Sequence, residues 1–206
     1  VTYTATSGDA ITSSSPRSSV KVRSLVGPGA DAGVAQGLCV NGQGDSRHSI
    51  GFVSGFNNNI RFDGAFSHTL DLGWSTNCIR GVYCTGSNAI KIYAGRIGGG
   101  FSSSAIDPES PENGVSIAAD CANIEIHGNI EYCRRSATAI GINDHGVGTR
   151  FVGYTESCAA YCIYAAGGDG YFDVLAGGTN ILTEQAGYYA GDTNTINLQK
   201  DRKSVV

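Results

Sequence analysis

Three acidic side chains lie close together in an unusual stretch of the sequence, FSSSAIDPESPENG, from Phe101 to Gly114. Asp107, Glu109 and Glu112 are spaced two and three residues apart in it. Two neighbouring carboxyl groups can serve as the acid and base of glycosidic-bond cleavage, and a cluster of them can hold a cation. The alternative is an acidic loop that only keeps the surface soluble, stiffened by its two prolines. These three residues are the candidate catalytic groups.

A second group of polar residues is predicted to lie on neighbouring strands. Apolar and polar residues alternate in NIEIHG, so Glu125 and His127 share the solvent face of one strand. Alignment of the repeats places Lys91 level with Glu125 one coil back, and Arg150 near the same column one coil on. The column predicts a salt-bridge ladder or a polysaccharide-binding face on which Arg150 holds an anionic sugar.

Aromatic residues offer a further kind of contact. Trp74, the only tryptophan, follows Gly73 at a predicted strand end, where its ring is either an exposed platform for a sugar or buried at a subunit contact. The same two interpretations apply to six tyrosines that crowd the C-terminal third: Tyr154, Tyr161, Tyr164, Tyr171, Tyr188 and Tyr189.

A sequence repeat of short strands is expected to position these residues. Short apolar strands that open with a small residue begin at Gly37, Asn59, Gly81, Gly114, Ala139, Cys162 and Gly187. The starts are 22, 22, 33, 25, 23 and 25 residues apart, and removing about ten residues of insertion from the long interval restores the period. That insertion is the acidic loop, so we expect it to project from the repeat as functional loops often do.

Further strands are predicted within each repeat. A second strand begins at Ser49, Thr69, Ala89, Asn123, Thr149, Gly170 and Asn194, and a third is predicted in IEYCRR, ESCAAYC and NILTEQA. Strands of this kind, separated by Gly, Asn, Asp and Ser corners, predict a solenoid in which each strand pairs with its counterpart one coil away. The core ladder would consist of Leu38, Ile60, Val82, Val115, Ile140, Ile163 and Tyr188.

The predicted fold is therefore all-β, a right-handed parallel β-helix of about seven coils of 22–25 residues. It would occupy residues 37–199, after an irregular segment or first coil at 1–36 and before a tail at 200–206. No amphipathic capping helix is evident at either end, so we expect a piece of a longer protein or a chain capped by partner chains.

Composition excludes several classes of function. Charged residues make up 16% of the chain and the net charge is −4, without a basic stripe, which argues against nucleic acid as a partner. No apolar stretch approaches the length of a membrane-spanning helix, so we expect no membrane insertion. The seven cysteines form no C-x-x-C pair and predict buried, reduced thiols in a reducing cytosol. We predict neither a metal site nor a cofactor.

The repeats GVSIAADCANIEIHGNIEY and GVYCTGSNAIKIYAGRI carry V-x-I or I-x-I followed by a turn of small residues. In this they resemble the pectin-lyase-like β-helix superfamily, and within it the β-helical parts of bacteriophage tailspikes and tail fibres. The resemblance lies in residue composition and repeat length, and it covers roughly residues 37–198.

This resemblance implies a homotrimer in the virion, assembled in the host cytoplasm, that binds bacterial surface polysaccharide during host recognition. The substrate-binding candidates are then Lys91, Glu125, His127, Arg150 and Trp74. Because some tailspikes of this kind are depolymerases, the resemblance also implies an alternative, a polysaccharide hydrolase or lyase that acts on capsule or O-antigen.

Overall fold

A computed structural model of the protein describes Thr2 and residues 7–31, 35–100, 106–177 and 187–200. This part of the chain forms fourteen β-strands and no helix, so none of it could cross a membrane as a helix. The strands are β1 (Asp9–Ser13), β2 (Lys21–Val26), β3 (Gln36–Ser54), β4 (Asn58–Thr76), β5 (Arg80–Thr85), β6 (Lys91–Gly98), β7 (Asn113–Ile117), β8 (Glu125–Glu131), β9 (Ile140–Asp144), β10 (Arg150–Glu156), β11 (Tyr161–Ala165), β12 (Tyr171–Ala176), β13 (Gly187–Ala190) and β14 (Thr195–Lys200).

The strands form two parallel stacks of a β-solenoid with about seven turns. The first stack contains β1, β5, β7, β9, β11 and β13, and the second contains β2, β6, β8, β10, β12 and β14. The long strands β3 and β4 run through the corner between the stacks and belong to both. The all-β parallel solenoid predicted from the repeat is confirmed, and β1 and β2 pair with β3, so the N-terminal segment adds to it.

The predicted third strands are wrong where the structure describes them. Residues 132–135 and 157–160 contain no strand, and NILTEQA lies outside the described residues. Tyr132 and Ser157 directly follow β8 and β10 and have left-handed backbones, with φ of 55° and 57°. This conformation ends an extended strand, so each coil has two strands and a connecting segment.

One member of the predicted core ladder is also wrong. Ile142, rather than Ile140, pairs with Val115 and Ile163, whereas Ile140 lies in a more exposed column beside Asn113. The small residue that opens this strand is Gly141, which packs on Gly114 so closely that a Cβ on Gly114 would lie 2.6 Å from the carbonyl oxygen of Gly141. The alignment of Ala139 with Gly114 therefore misplaced the strand by two residues.

The core also holds all seven cysteines, which are free and buried. Burial raises the pKa of the Cys78 thiol to about 12 and that of Cys121 to about 11. Thiols that stay protonated are poor nucleophiles, so the cysteines act as small apolar core residues.

Asp144 caps the corner that follows β9. Its Oδ1 accepts hydrogen bonds from the Gly146 amide (2.9 Å) and the Thr149 hydroxyl (3.0 Å). Burial raises the pKa of this carboxyl to about 6, because it outweighs both hydrogen bonds.

Two buried histidines join β3 to β4 at the corner between the stacks. The Gly42 carbonyl can only accept, so His68 Nε2 donates to it (3.2 Å) and His68 Nδ1 is left as an acceptor. His48 Nε2 donates to that atom (3.3 Å), and His48 Nδ1 accepts from the Val20 amide (3.3 Å). His48 Nδ1 can accept this bond only while the His48 ring is neutral. Burial, and then the neighbouring His68, lower the pKa of His48 to about 4.

The protein is therefore expected to lose stability through His48 as the pH falls. The unfolded imidazole takes up a proton below its ordinary pKa of 6.5, while the folded one resists down to about 4. The stability that His48 contributes is complete above pH 6.5 and is lost between these values, a loss of about 3 kcal/mol. Urea unfolding at pH 7.5 and 4.5 measures it, and His48→Gln, which cannot titrate, should lose less over the same interval. An equal loss in both proteins would contradict this assignment.

Candidate functional site

Glycines lie close together on the second stack, in two neighbouring columns. Gly51, Gly73 and Gly95 are exposed and stacked in register. Gly128 and Gly153 are half-buried and stack on each other in the next column, between Ala94 and Val174. A Cβ on Gly73 would lie 2.1 Å from the carbonyl oxygen of Gly51, and one on Gly153 would lie 2.0 Å from that of Gly128. Because no side chain fits at these positions, the two columns leave a strip of backbone without side chains, which we call the glycine trough.

Aromatic rings line the trough over its first coils. Trp74 and Tyr93 are 37% and 40% exposed. The Trp74 ring packs edge-on against Phe52 (5.5 Å between centroids), and its indole nitrogen donates to the Gly98 carbonyl (3.1 Å). Tyr93 stacks on His127 at 5.1 Å. The rings are fixed by these contacts and still present area to solvent, as a platform for a sugar ring requires.

The predicted charge column runs along the same face, with Lys91, Glu125 and Arg150 in register as expected. Glu125 accepts from His127 Nε2 (2.6 Å) and lies 3.5 Å from Lys91 Nζ. His127 first, and then Lys91, lower the pKa of Glu125. The prediction that Arg150 completes the ladder is wrong, because the Glu125 carboxylate already has two partners. Arg150 is exposed and makes no ion pair among the described residues.

A depression of about 340 Å³ lies over the trough at its C-terminal coils. Tyr154 and Leu175 provide apolar surface in its wall, and Asn129, Asp173 and Gln199 provide amide and carboxylate groups. Gly153 is at its floor. Apolar surface combined with a few hydrogen-bonding groups is typical of small-molecule sites.

Two of the three predicted catalytic acids accept hydrogen bonds that organise the chain around them. Asp107 accepts from the Glu109 amide (3.0 Å) and the Ser110 hydroxyl (3.1 Å). Glu112 accepts from the hydroxyls of Ser136 (2.6 Å) and Thr138 (3.1 Å). The described contacts bring no two of these three carboxylates together, and residues 101–105 of the loop lie outside the described part.

A pair of glutamates that sequence reasoning missed lies at the end of the second stack. Glu131 and Glu156 are register partners in β8 and β10. Arg96 Nε lies 3.0 Å from Glu131, yet burial outweighs this contact and raises the pKa of Glu131, as does the neighbouring Glu156. Glu156 accepts from the Tyr132 hydroxyl (2.5 Å) and the Tyr154 hydroxyl.

These contacts place the two carboxyls in different environments: burial raises the pKa of Glu131, whereas Glu156 accepts hydrogen bonds from two tyrosine hydroxyls. That is the arrangement expected of an acid–base pair. Arg96 also lies over the rings of Trp74 (5.5 Å) and Tyr132 (5.4 Å), which connects the pair to the trough. The sequence signal was a shared position: each glutamate ends a second strand and precedes a cysteine by two residues.

The described residues contain no group of three or more His, Cys, Asp or Glu side chains that could hold a metal ion. No protein-family model, curated protein or solved structure matches the chain significantly.

Proposed function

We propose that this protein binds a bacterial surface polysaccharide along the glycine trough, as a domain of a bacteriophage tailspike or tail fibre. The observation that carries the proposal is the combination of a strip without side chains, exposed rings fixed by their neighbours, and Arg150, which has no ion pair among the described residues. The trough crosses successive coils, so it suits a linear polymer better than a small, compact ligand.

Each part of the trough has a role in this proposal. Trp74 and Tyr93 stack on sugar rings, and the amides and carboxylate around Gly153 bond hydroxyl groups. Arg150 holds the carboxylate of an anionic sugar, because its guanidinium has no acidic partner among the described residues. Lys91, Glu125 and His127 form a hydrogen-bonded group beside it.

The wider assembly belongs to the same proposal. We take the solenoid to be a right-handed β-helix, the hand that parallel crossover connections favour, in a homotrimer within the virion. Assembly in the host cytoplasm agrees with seven free, buried thiols.

Binding to purified capsular polysaccharides and lipopolysaccharides from a panel of bacteria tests the proposal. For an acidic polysaccharide, Arg150→Gln is expected to weaken binding at least about tenfold, since a charge-assisted hydrogen bond is lost. Trp74→Ala should weaken binding by about tenfold through loss of stacking. Arg17→Gln and Tyr189→Ala, exposed residues away from the trough, are the matched controls. Equal losses in the controls, or none in the trough variants, would reject the site.

A second candidate function, cleavage of the bound polysaccharide, is favoured by one observation, the Glu131–Glu156 pair, which Arg96 links to Trp74. In glycosidic-bond hydrolysis one protonated carboxyl donates to the leaving oxygen while the other, ionised, acts as nucleophile or base. The burial that raises the pKa of Glu131 suits it to the first role, and the second falls to its register partner Glu156, which the two tyrosine hydroxyls hold in place. A reducing-sugar assay on the polysaccharide that binds detects this activity.

A further inference from the structure

The depression at the C-terminal coils of the glycine trough has an apolar wall on the solvent face of the sheet. Val152 and Tyr154 of β10 and Leu175 of β12 line it. Tyr154 and Leu175 are register partners, and Leu175 is 43% exposed. One exposed leucine is ordinary on a protein surface, but three apolar residues that meet in a concave surface indicate a binding site.

Hydrogen-bonding groups that solvent can reach frame this apolar wall. Asn129 and Gln199 are exposed and stand below and above the wall in one register column, where each amide can donate to a ligand. The half-buried Asp173 accepts at Oδ1 from Asn197 Nδ2 (3.1 Å) and Gln199 Nε2 (3.4 Å). Its Oδ2 accepts from none of the described residues, so this oxygen can accept from a ligand.

The charge and the polarity of the depression decide which chemical group fits. Asp173 is its one charged residue among the described lining residues, so an anionic group would be repelled. An acetamido group is uncharged and combines a methyl with a carbonyl oxygen that accepts and an N–H that donates. A hydroxymethyl group has no methyl for the apolar wall, and the methyl of a deoxy sugar makes no hydrogen bond.

We infer that this depression binds the acetamido group of an N-acetylhexosamine residue of the polysaccharide, an inference that rests on the proposed function. The methyl packs on Tyr154 and Leu175. The carbonyl oxygen accepts from the amide of Asn129 or Gln199, and the N–H donates to Asp173 Oδ2.

Arg150 places the acidic group of the polymer next to this sugar. It precedes Val152 by two residues on β10, which is about 7 Å along a strand. The bound polymer would thus carry an N-acetylhexosamine beside an acidic sugar.

Saturation-transfer NMR with free monosaccharides tests the inference directly. The probes are N-acetylglucosamine and N-acetylgalactosamine. The comparison sugars are glucose and galactose, which lack the acetamido group, fucose, which offers only a methyl, and glucosamine, which offers a cation to Asp173. We expect at least one N-acetyl sugar to bind at least about fivefold more tightly than every comparison sugar, the value of one hydrogen bond. Its acetyl methyl protons should receive the strongest saturation, because they contact the apolar wall.

Leu175→Thr provides a second readout, because it removes part of the apolar wall from an exposed position and should leave the fold intact. The affinity for the N-acetyl sugar should fall about fivefold. Leu198→Thr is the matched control, since Leu198 of the neighbouring strand is equally exposed, at 45%, and does not line the depression. It should bind the sugar as the native protein does.

Four results would each overturn the inference: no binding of either N-acetyl sugar, equal or tighter binding of a comparison sugar, unchanged affinity in Leu175→Thr, or an equal loss in Leu198→Thr. If a polysaccharide still binds the native protein in any of these cases, and Trp74→Ala and Arg150→Gln weaken that binding, the proposed function stands without this subsite. If the N-acetyl sugars bind as expected and no polysaccharide does, the subsite stands and the proposed function fails.

Discussion

Gly153→Ala is expected to destabilise the protein by more than about 4 kcal/mol, or to prevent folding. The new Cβ would lie 2.0 Å from the carbonyl oxygen of Gly128 and 3.0 Å from its carbonyl carbon and amide nitrogen. All three are backbone atoms inside the ladder between β8 and β10. They can move apart only if hydrogen bonds of that ladder break, so the strain cannot be relieved by a side-chain rotation.

Equilibrium unfolding in urea, followed by circular dichroism, measures this effect. Gly100→Ala is the matched control, because a Cβ there would have no atom within 4 Å, and it should change the stability by less than about 0.5 kcal/mol. Gly73→Ala, whose Cβ would lie 2.1 Å from the Gly51 oxygen, should behave like Gly153→Ala. If Gly153→Ala were as stable as the control, β8 and β10 could not be stacked in this register.

Glu131→Gln and Glu156→Gln are each expected to reduce polysaccharide cleavage by about 10³-fold, the usual contribution of a positioned acid or base. Glutamine keeps the size of each side chain but can neither give up a proton nor carry the negative charge. Because its pKa is raised, the Glu131 carboxyl stays protonated to a higher pH. Replacing this carboxyl therefore removes the acid that activates the leaving group. The loss of Glu156 removes the carboxyl group that two tyrosine hydroxyls hold in position as the nucleophile or base.

Glu112→Gln is the control for this second result, since the Glu112 carboxylate accepts only from Ser136 and Thr138 among the described residues. It should cleave at the native rate. If cleavage persisted in Glu131→Gln and Glu156→Gln but was lost in Glu112→Gln, the catalytic residues would lie in the acidic loop instead. Binding without any release of reducing ends by the native protein would reject the second candidate function and leave the first.

The second strands could be predicted because the alternation of apolar and polar residues decides which side chains face the core. In Ile124-Glu125-Ile126 and Ile90-Lys91-Ile92 the apolar residues can only point inward, so strand position and column register followed directly from alternation. The position of Ile142 could not be obtained in this way. It depends on the close stacking of Gly141 on Gly114, and the sequence offers Ala139 as an equally small start.

Side-chain partners were the least predictable feature. The register of Arg150 was right, yet its ion pair was not, because Glu125 bonds to His127 on its own strand. Glu131 and Glu156 are far apart in the chain and meet only through the register of β8 and β10. The acidic loop attracted attention because its carboxylates are close in sequence, but the hydrogen bonds of Asp107 and Glu112 direct them to different partners.

The most direct test of the account is a crystal structure of the protein with an oligosaccharide cut from the polysaccharide that it binds most tightly. We expect the oligosaccharide to lie along the glycine trough, with a sugar ring over Trp74 or Tyr93 and an acidic group at Arg150. A ligand on the outward face of the first stack, or failure of every polysaccharide in the panel to bind, would contradict it.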